Sequence, residues 1–85
     1  MQVLIPLASG CEEMEAVILI DVLRRAGWQV TTAGLESSVI EASRGVRLVA
    51  DQLWEEVEMD QQEALILPGG LTGTQQLCTL SLIHI

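Results

Sequence analysis

Three glutamates fall within four positions near the amino terminus, in the run EEME at residues 12–15. Clustered carboxylates can act as general acids or bases, but they can also cap a helix or face water. Ser9 and Glu12 form the S-x-x-E pattern of a capping box, which predicts that Ser9 caps a helix and Glu12 bonds back to it. We expect Glu13 to face solvent. Glu15 lies one turn after Glu12 on the same side, so it is the candidate for chemistry, although its position alone favours a solvated role.

Glycines offer a second kind of chemistry, because Gly69 and Gly70 follow the apolar run ALIL and Gly73 comes soon after. The stretch GGLTG matches neither the dinucleotide-binding nor the P-loop pattern, so a phosphate site is not indicated. Glycines at a strand end still let the backbone approach a ligand and direct N–H groups at it. We therefore expect that these N–H groups can stabilise an oxyanion.

The cysteines and the histidine give weaker signals. Cys11 lies at a predicted helix start, where a thiol pKa tends to fall, but a small residue in a turn is the favoured interpretation. Cys78 has no activating neighbour in sequence. With His84 as the single histidine and no C-x-x-C spacing, no zinc ligand set is expected, and we predict two reduced thiols and no cofactor.

Composition narrows the class of protein. The formal net charge is -8, which argues against binding to nucleic acid or to anionic membranes. The longest uninterrupted apolar run, AVILI, is too short to span a bilayer, and the first residues lack the basic flank of a secretion signal. The expectation is one small cytoplasmic domain.

The elements alternate between strand and helix. An apolar strand at residues 3–8 precedes a helix that is expected to end near Ala26, where Gly27 can terminate it. A second strand is predicted at 28–34, followed by a hairpin that turns at Arg44–Gly45. We further expect one helical turn in LWEEVEMD and a buried strand in ALILPGG. The alternation predicts a doubly wound α/β sheet, with ligands beyond the carboxyl ends of its strands.

The first helix is apolar on almost every side. Between Ala16 and Leu23 only Asp21 is polar, whereas a helix on one face of a sheet needs only an apolar stripe. Its outer side must therefore be covered, either by a further part of the same chain or by a second copy in a homodimer.

Four separated segments, PLASGCEEMEAV, IDVLRRAGWQVTTAGL, ASRGVRLVAD and ALILPGGLTGTQQL, occur in an order that resembles the ThiJ/PfpI superfamily. The similarity is greatest to its branch of parkinsonism-associated protein deglycases. This resemblance implies a flavodoxin-like, mostly parallel sheet related to class I glutamine amidotransferases, and a homodimer. It also implies a cysteine-dependent deglycase or glyoxalase in oxidative-stress defence, acting on small carbonyl compounds or glycated thiols and amines.

The resemblance also assigns roles to residues. Glu15 matches a family glutamate that is protonated and hydrogen-bonds a reactive cysteine, helping to keep it a thiolate. Gly69 and Gly70 match backbone donors near that sulfur, and Ser43–Arg44 matches a pair at the dimer interface beside the site. The resemblance leaves open a non-enzymatic redox-responsive chaperone or partner-binding protein as an alternative function. An intracellular peptidase is a further alternative, although EEME and SRGV match the deglycase branch better.

The family's nucleophilic cysteine follows LPGG at a distance beyond the last residue of this chain, and neither Cys11 nor Cys78 matches it. We therefore expect residues 1–79 to be the amino-terminal part of a family domain that is inactive by itself. The final LSLIHI, residues 80–85, has no family counterpart and matches the translation of a transposon adaptor used in sequencing libraries. We expect those six residues not to be native.

Overall fold

A computed structural model describes residues 1–68 of the chain. Within these residues, six strands and one α-helix follow the order β1, α1, β2, β3, β4, β5, β6, with two short 3-10 turns before β6. Their bounds are β1 Gln2–Leu7, α1 Glu13–Arg25, β2 Gln29–Gly34, β3 Val39–Glu41, β4 Arg47–Val49, β5 Gln52–Leu53, the turns Trp54–Glu56 and Met59–Gln61, and β6 Ala64–Leu65. No helix within residues 1–68 is long and apolar enough to cross a membrane.

The main sheet has the strand order β5-β2-β1-β6, and all three pairings are parallel. In the β1–β2 pair, Gln2 lies opposite Gln29 and Leu7 opposite Gly34. Strand β1 is central and buried along nearly all of its length, which explains why its sequence is a continuous apolar run and does not alternate. The predicted parallel α/β sheet is confirmed.

The core lies between the sheet and α1. Val3, Ile5 and Leu7 are each at most 1% exposed and belong to one apolar cluster with Ala16 of the helix and Val30 of β2. These three side chains share one face of β1 because side chains alternate along a strand. The cluster therefore fixes α1 across β1 and β2, and with it the residues at the start of the helix.

The helix starts later than the sequence pattern predicts. Glu12 is the N-cap residue, and its carboxylate accepts a hydrogen bond from the Met14 backbone N–H at 3.1 Å. Ser9 is not the cap, because the chain first makes a turn in which Gly10 has a φ of 85°. The expected capping box is therefore wrong, because Glu12 caps the helix as its N-cap residue and does not bond back to Ser9.

The predicted hairpin is confirmed. Strands β3 and β4 pair antiparallel, with Ile40 opposite Leu48, and Gly45 has a φ of 83° in the connecting turn. The turn closes through a hydrogen bond from the Ala42 N–H to the Val46 carbonyl at 2.8 Å. The region after it differs from expectation, because the short strand β5 was not predicted and two 3-10 turns replace one.

The strand predicted over ALILPGG is shorter in the structure. Strand β6 covers Ala64–Leu65, and one further hydrogen bond joins the Ile66 N–H to the Leu4 carbonyl at 3.0 Å. Gly69, Gly70, Gly73, Cys78, His84 and residues 80–85 lie outside the described residues, so the predictions for them stay predictions.

Candidate functional site

The loop after β1 and the turn of the hairpin meet at the carboxyl end of the main sheet. The Gly10 N–H donates to the Glu41 carbonyl at 3.0 Å, and the Ser43 N–H donates to the Cys11 carbonyl at 2.8 Å. These backbone bonds hold together two segments that are about 30 residues apart in sequence. The candidate site residues of both segments are therefore neighbours.

Glu13 occupies the junction between these segments, contrary to the prediction that it faces solvent. Its side chain is only 9% exposed. One carboxylate oxygen accepts from the Ser43 hydroxyl at 2.8 Å, and the other accepts from the Arg44 backbone N–H at 2.9 Å. We call this arrangement of Glu13, Ser43 and Arg44 the Glu13 clasp.

The electrostatics of the clasp favour an ionised carboxylate. Glu13 has a lowered pKa because its own backbone N–H, the Arg44 N–H and the Ser43 hydroxyl all donate hydrogen bonds to it. Desolvation opposes this shift, but the donors outweigh it. The first turn of α1 thus carries a fixed negative charge, where the helix dipole also stabilises one.

Glu15, the candidate for chemistry, is exposed, and its carboxylate makes no hydrogen bond with any residue in 1–68. It lines an apolar groove together with Ile18 and Val22 of α1 and with Leu67 and Pro68 of the segment after β6. Pro68 directly precedes Gly69 in the sequence. The fold therefore places Glu15 beside the chain segment that leads into the predicted glycine donors.

Ser43 and Arg44 lie in the hairpin turn, next to the start of α1. The Ser43 hydroxyl is used by the clasp, and so is the Arg44 backbone N–H. The Arg44 side chain is exposed and forms no hydrogen bond or ion pair within the described part of the chain. Its guanidinium is thus available to a ligand or to a partner, while its backbone is held by the clasp.

Cys11 does not have the properties of a reactive thiol. It is fully buried, and burial is the main cause that raises the pKa of its thiol, with the charges of Glu13 and Glu12 adding to the rise. This confirms the interpretation of Cys11 as a small residue in a turn. Among residues 1–68, no three His, Cys, Asp or Glu side chains are grouped to hold a metal ion.

The outer side of α1 is apolar and exposed. Met14 is 68% exposed, Ile18 57% and Val22 55%. Met14, Val17 and Ile18 also form a groove with Val46 of the hairpin. We call these five residues, Met14, Val17, Ile18, Val22 and Val46, the outer α1 surface. The expectation that this helix is apolar beyond its sheet-facing stripe is confirmed, and within residues 1–68 nothing covers it.

Sequence reasoning missed Glu13 because its partners belong to a distant segment. Ser43 is 30 residues away, and neither the helix period nor the S-x-x-E pattern contains information on that contact. The three adjacent carboxylates are therefore separated by tertiary structure into a cap, a buried clasp and an exposed side chain.

A parallel sheet with a helix on one face, polar residues beyond its carboxyl ends and a small hairpin beside them define a flavodoxin-like α/β protein. A family model described as "DJ-1/PfpI family" matches residues 1–84. The chain belongs to the DJ-1/PfpI family, as its motifs predict.

Individual relatives agree with this assignment. Protein DJ-1 homolog B of Arabidopsis thaliana is 51% identical over 75 residues, covering 87% of this chain and 17% of the relative. The glutathione-independent glyoxalase DJR-1.2 of Caenorhabditis elegans is 36% identical over 59 residues, covering 69% of this chain and 32% of the relative. The crystal structure of Drosophila melanogaster DJ-1beta superposes with a TM-score of 0.83 at 43% identity, covering 89% of this chain and 42% of that one. This chain thus spans less than half the length of each of these relatives.

Proposed function

We propose that this chain is the amino-terminal part of a cysteine-dependent deglycase or glyoxalase that also responds to oxidants. Its substrates would be small carbonyl compounds or glycated thiols and amines. The observation that carries the proposal is the position of Glu15, exposed in the first turn of α1 and sharing a groove with Pro68. Family membership and the glyoxalase named among the relatives support the reaction class.

Each candidate residue has a role in this proposal. The carboxyl O–H of Glu15 donates a hydrogen bond to a cysteine supplied by a later segment and so stabilises its thiolate, which adds to the carbonyl carbon of the substrate. The N–H groups of Gly69 and Gly70 then stabilise the oxyanion that the addition creates. Arg44 completes the site across the dimer, from a backbone position held in the hairpin turn. No cofactor is required for these steps.

The test uses the intact protein, by which we mean a full-length family domain that contains this chain, and measures methylglyoxal consumption. Glu15→Gln should lower kcat/KM by about 10-fold, because an amide N–H is a weaker hydrogen-bond donor to the thiolate than a carboxyl O–H. Glu55 is an exposed glutamate far along the chain, so Glu55→Gln is the matched control and should leave kcat/KM unchanged. Unchanged activity of the Glu15→Gln variant would refute the role given to Glu15.

We also propose that the intact protein is a homodimer through the outer α1 surface. Contiguous exposed apolar side chains on one helix are typical of an interaction site. Val17 and Val39 are both 48% exposed, but only Val17 lies on this surface. Val17→Asp should convert the dimer to monomers in sedimentation analysis, whereas Val39→Asp should not. A monomeric unsubstituted protein would overturn the proposal.

The same exposed surface favours a second candidate function, a non-enzymatic redox-responsive chaperone or partner-binding protein. Apolar side chains that remain accessible can bind other apolar chains. The two functions separate in an aggregation assay with the intact protein. Undiminished suppression of aggregation after replacement of the nucleophilic cysteine would favour the chaperone over the enzyme.

A further inference from the structure

The Glu13 clasp takes no part in the chemistry proposed above, yet it is one of the most completely bonded features near the site. Glu13 is 9% exposed, and both oxygens of its carboxylate accept a hydrogen bond from the hairpin turn, at 2.8 and 2.9 Å. A buried carboxylate is stable only when such donors replace its water. The clasp is therefore a specific structure and not a chance contact on the surface.

Two backbone hydrogen bonds reinforce the clasp. The Ser43 N–H donates to the Cys11 carbonyl, and the Gly10 N–H donates to the Glu41 carbonyl. Together with the two bonds of Glu13, four hydrogen bonds join the hairpin to the loop before α1 and to the first residue of α1. Two of these four hydrogen bonds are accepted by the Glu13 carboxylate, and the other two join backbone groups. Replacing Glu13 therefore removes half of the connection and leaves the backbone pairs in place.

The clasp joins two groups to which the proposed function gives a role. Glu15 follows Glu13 by two residues in the first turn of the same helix. Arg44 receives its position from its own backbone N–H, which Glu13 binds, while its guanidinium stays exposed without a bonding partner in residues 1–68. The Glu13 carboxylate thus provides two of the four hydrogen bonds that set the Arg44 backbone against the first turn of α1.

We propose that Glu13 is a positioning residue of the site, whose carboxylate holds the Ser43–Arg44 turn against the first turn of α1 and so sets the backbone position from which Arg44 reaches the site. The inference rests on the proposed function for the importance of Arg44 and Glu15. The position that Glu13 imposes on the turn rests on hydrogen bonds alone.

The substitutions separate shape from charge. In Glu13→Gln, the amide oxygen can still accept from the Arg44 N–H, and the amide nitrogen can donate to the Ser43 hydroxyl, which is also an acceptor. Glu13→Ala removes both bonds. If Glu13 acts by holding the turn in place and not by its charge, the glutamine variant should match the unsubstituted protein in Arg44 amide exchange and in kcat/KM. The alanine variant should differ in both.

The first measurement is hydrogen exchange of the Arg44 amide in the intact protein. In the Glu13→Ala variant this amide should exchange about 10-fold faster, because its acceptor is gone. The Glu13→Gln variant should remain within about threefold of the unsubstituted rate. An unchanged Arg44 exchange rate in the alanine variant would overturn the proposal.

The second measurement is a double-mutant cycle on methylglyoxal consumption. If Glu13 acts through Arg44, Glu13→Ala and Arg44→Ala should each lower kcat/KM by about 10-fold, and the double variant should show little further loss. A general structural effect would instead multiply the two losses. Multiplying losses, or full activity of the alanine variant, would overturn the positioning role.

The two proposals fail in distinguishable ways. An intact protein without carbonyl-consuming activity refutes the proposed function, whereas the Arg44 exchange rate still decides whether Glu13 holds the turn. Should the Glu13→Ala variant not fold, Ser43→Ala removes a single bond of the clasp, and Arg44 exchange should then rise by about threefold. No acceleration in that variant counts against the clasp.

Discussion

The two ends of α1 are each tied to another part of the chain by a charged side chain, but in different ways. At the amino end, the buried Glu13 carboxylate binds a hydroxyl and a backbone N–H of the hairpin turn. At the carboxyl end, Arg24 forms an ion pair with Asp51 at 3.1 Å, and the two side chains are 48% and 47% exposed. The amino end of α1 is thus held by neutral donors to a buried carboxylate. The carboxyl end is held by an ion pair between two side chains that are about half exposed to solvent.

At the carboxyl end of α1, the partner of Arg24 is itself held by strand β2. Its carboxylate accepts from the Thr32 N–H at 3.0 Å, while its own N–H donates to the Thr32 hydroxyl at 2.8 Å. Thr32 is 4% exposed, so this reciprocal pair is better shielded than the ion pair beside it. Since water screens half-exposed charges, we infer that the Arg24–Asp51 attraction adds little by itself, and that the hydrogen bonds to Thr32 fix the place of the carboxylate that Arg24 meets.

Acidification should have the largest effect, and it should act at the amino end. The pKa of Glu13 is lowered in the folded state, so its stabilisation is complete above the ordinary carboxyl pKa of 4.5 and is lost as the pH falls through the lower folded value. Between pH 6 and pH 3 the Tm of the intact protein should fall, and Glu13 should account for part of that fall. The Glu13→Gln variant should lack that part, and identical pH profiles would contradict the prediction.

Removal of the Asp51 carboxylate should come next in size. Asp51→Ala leaves the Thr32 N–H without its acceptor and should lower the free energy of unfolding by about 1–2 kcal/mol. Asp51→Asn is the matched control, because its amide oxygen can still accept from Thr32. Urea unfolding should place the asparagine variant close to the unsubstituted protein, and equal losses in both variants would assign the effect to charge.

Arg24 should contribute less to the free energy of unfolding than its ion pair suggests. The side chain also donates to the Val30 carbonyl at 3.0 Å, so Arg24→Met removes two bonds but keeps the apolar stem. We expect a loss below about 1 kcal/mol in the same urea titration, because the pair is screened by solvent. A loss as large as that of Asp51→Ala would show that the ion pair dominates this end.

The smallest effect is expected one residue further along. Arg25 bonds Asp21 at 2.8 Å across one turn of α1, and the two side chains are 79% and 56% exposed. Arg25→Ala should change the Tm of the intact protein by no more than about 1 °C, because such exposed pairs contribute little. A larger fall would mean that the outer turn of the helix contacts a part of the protein beyond residues 1–68.

Local pattern predicted most of the elements but not all of their bounds. The β1–α1–β2 unit and the hairpin at Gly45 follow from apolar runs and turn residues, and all are present. Strand β5 could not be predicted, because Gln52–Leu53 are a strand only through their pairing with Ala33 and Gly34. Ser9 failed as a cap for a related reason, since the turn at Gly10 comes before the helix.

The candidate site was predicted unevenly. The motif resemblance selected Glu15, and the fold leaves it exposed beside Pro68, but its chemistry is a proposal. Glu13 was expected in solvent because adjacent helix positions offer no sign of a partner 30 residues away. Gly69 and Gly70 lie outside the described residues, so their role stays a prediction.

By itself the sequence determined the β1–α1–β2 unit and the hairpin, the family to which they belong, and the apolar character of α1, because these depend on local composition and order. Only tertiary structure decided the surroundings of the three glutamates. Glu12, Glu13 and Glu15 are chemically identical, and they differ because the hairpin covers Glu13 and leaves Glu15 open. Burial and hydrogen-bond donors, which come from distant parts of the chain, determine whether a carboxylate is structural or free to react.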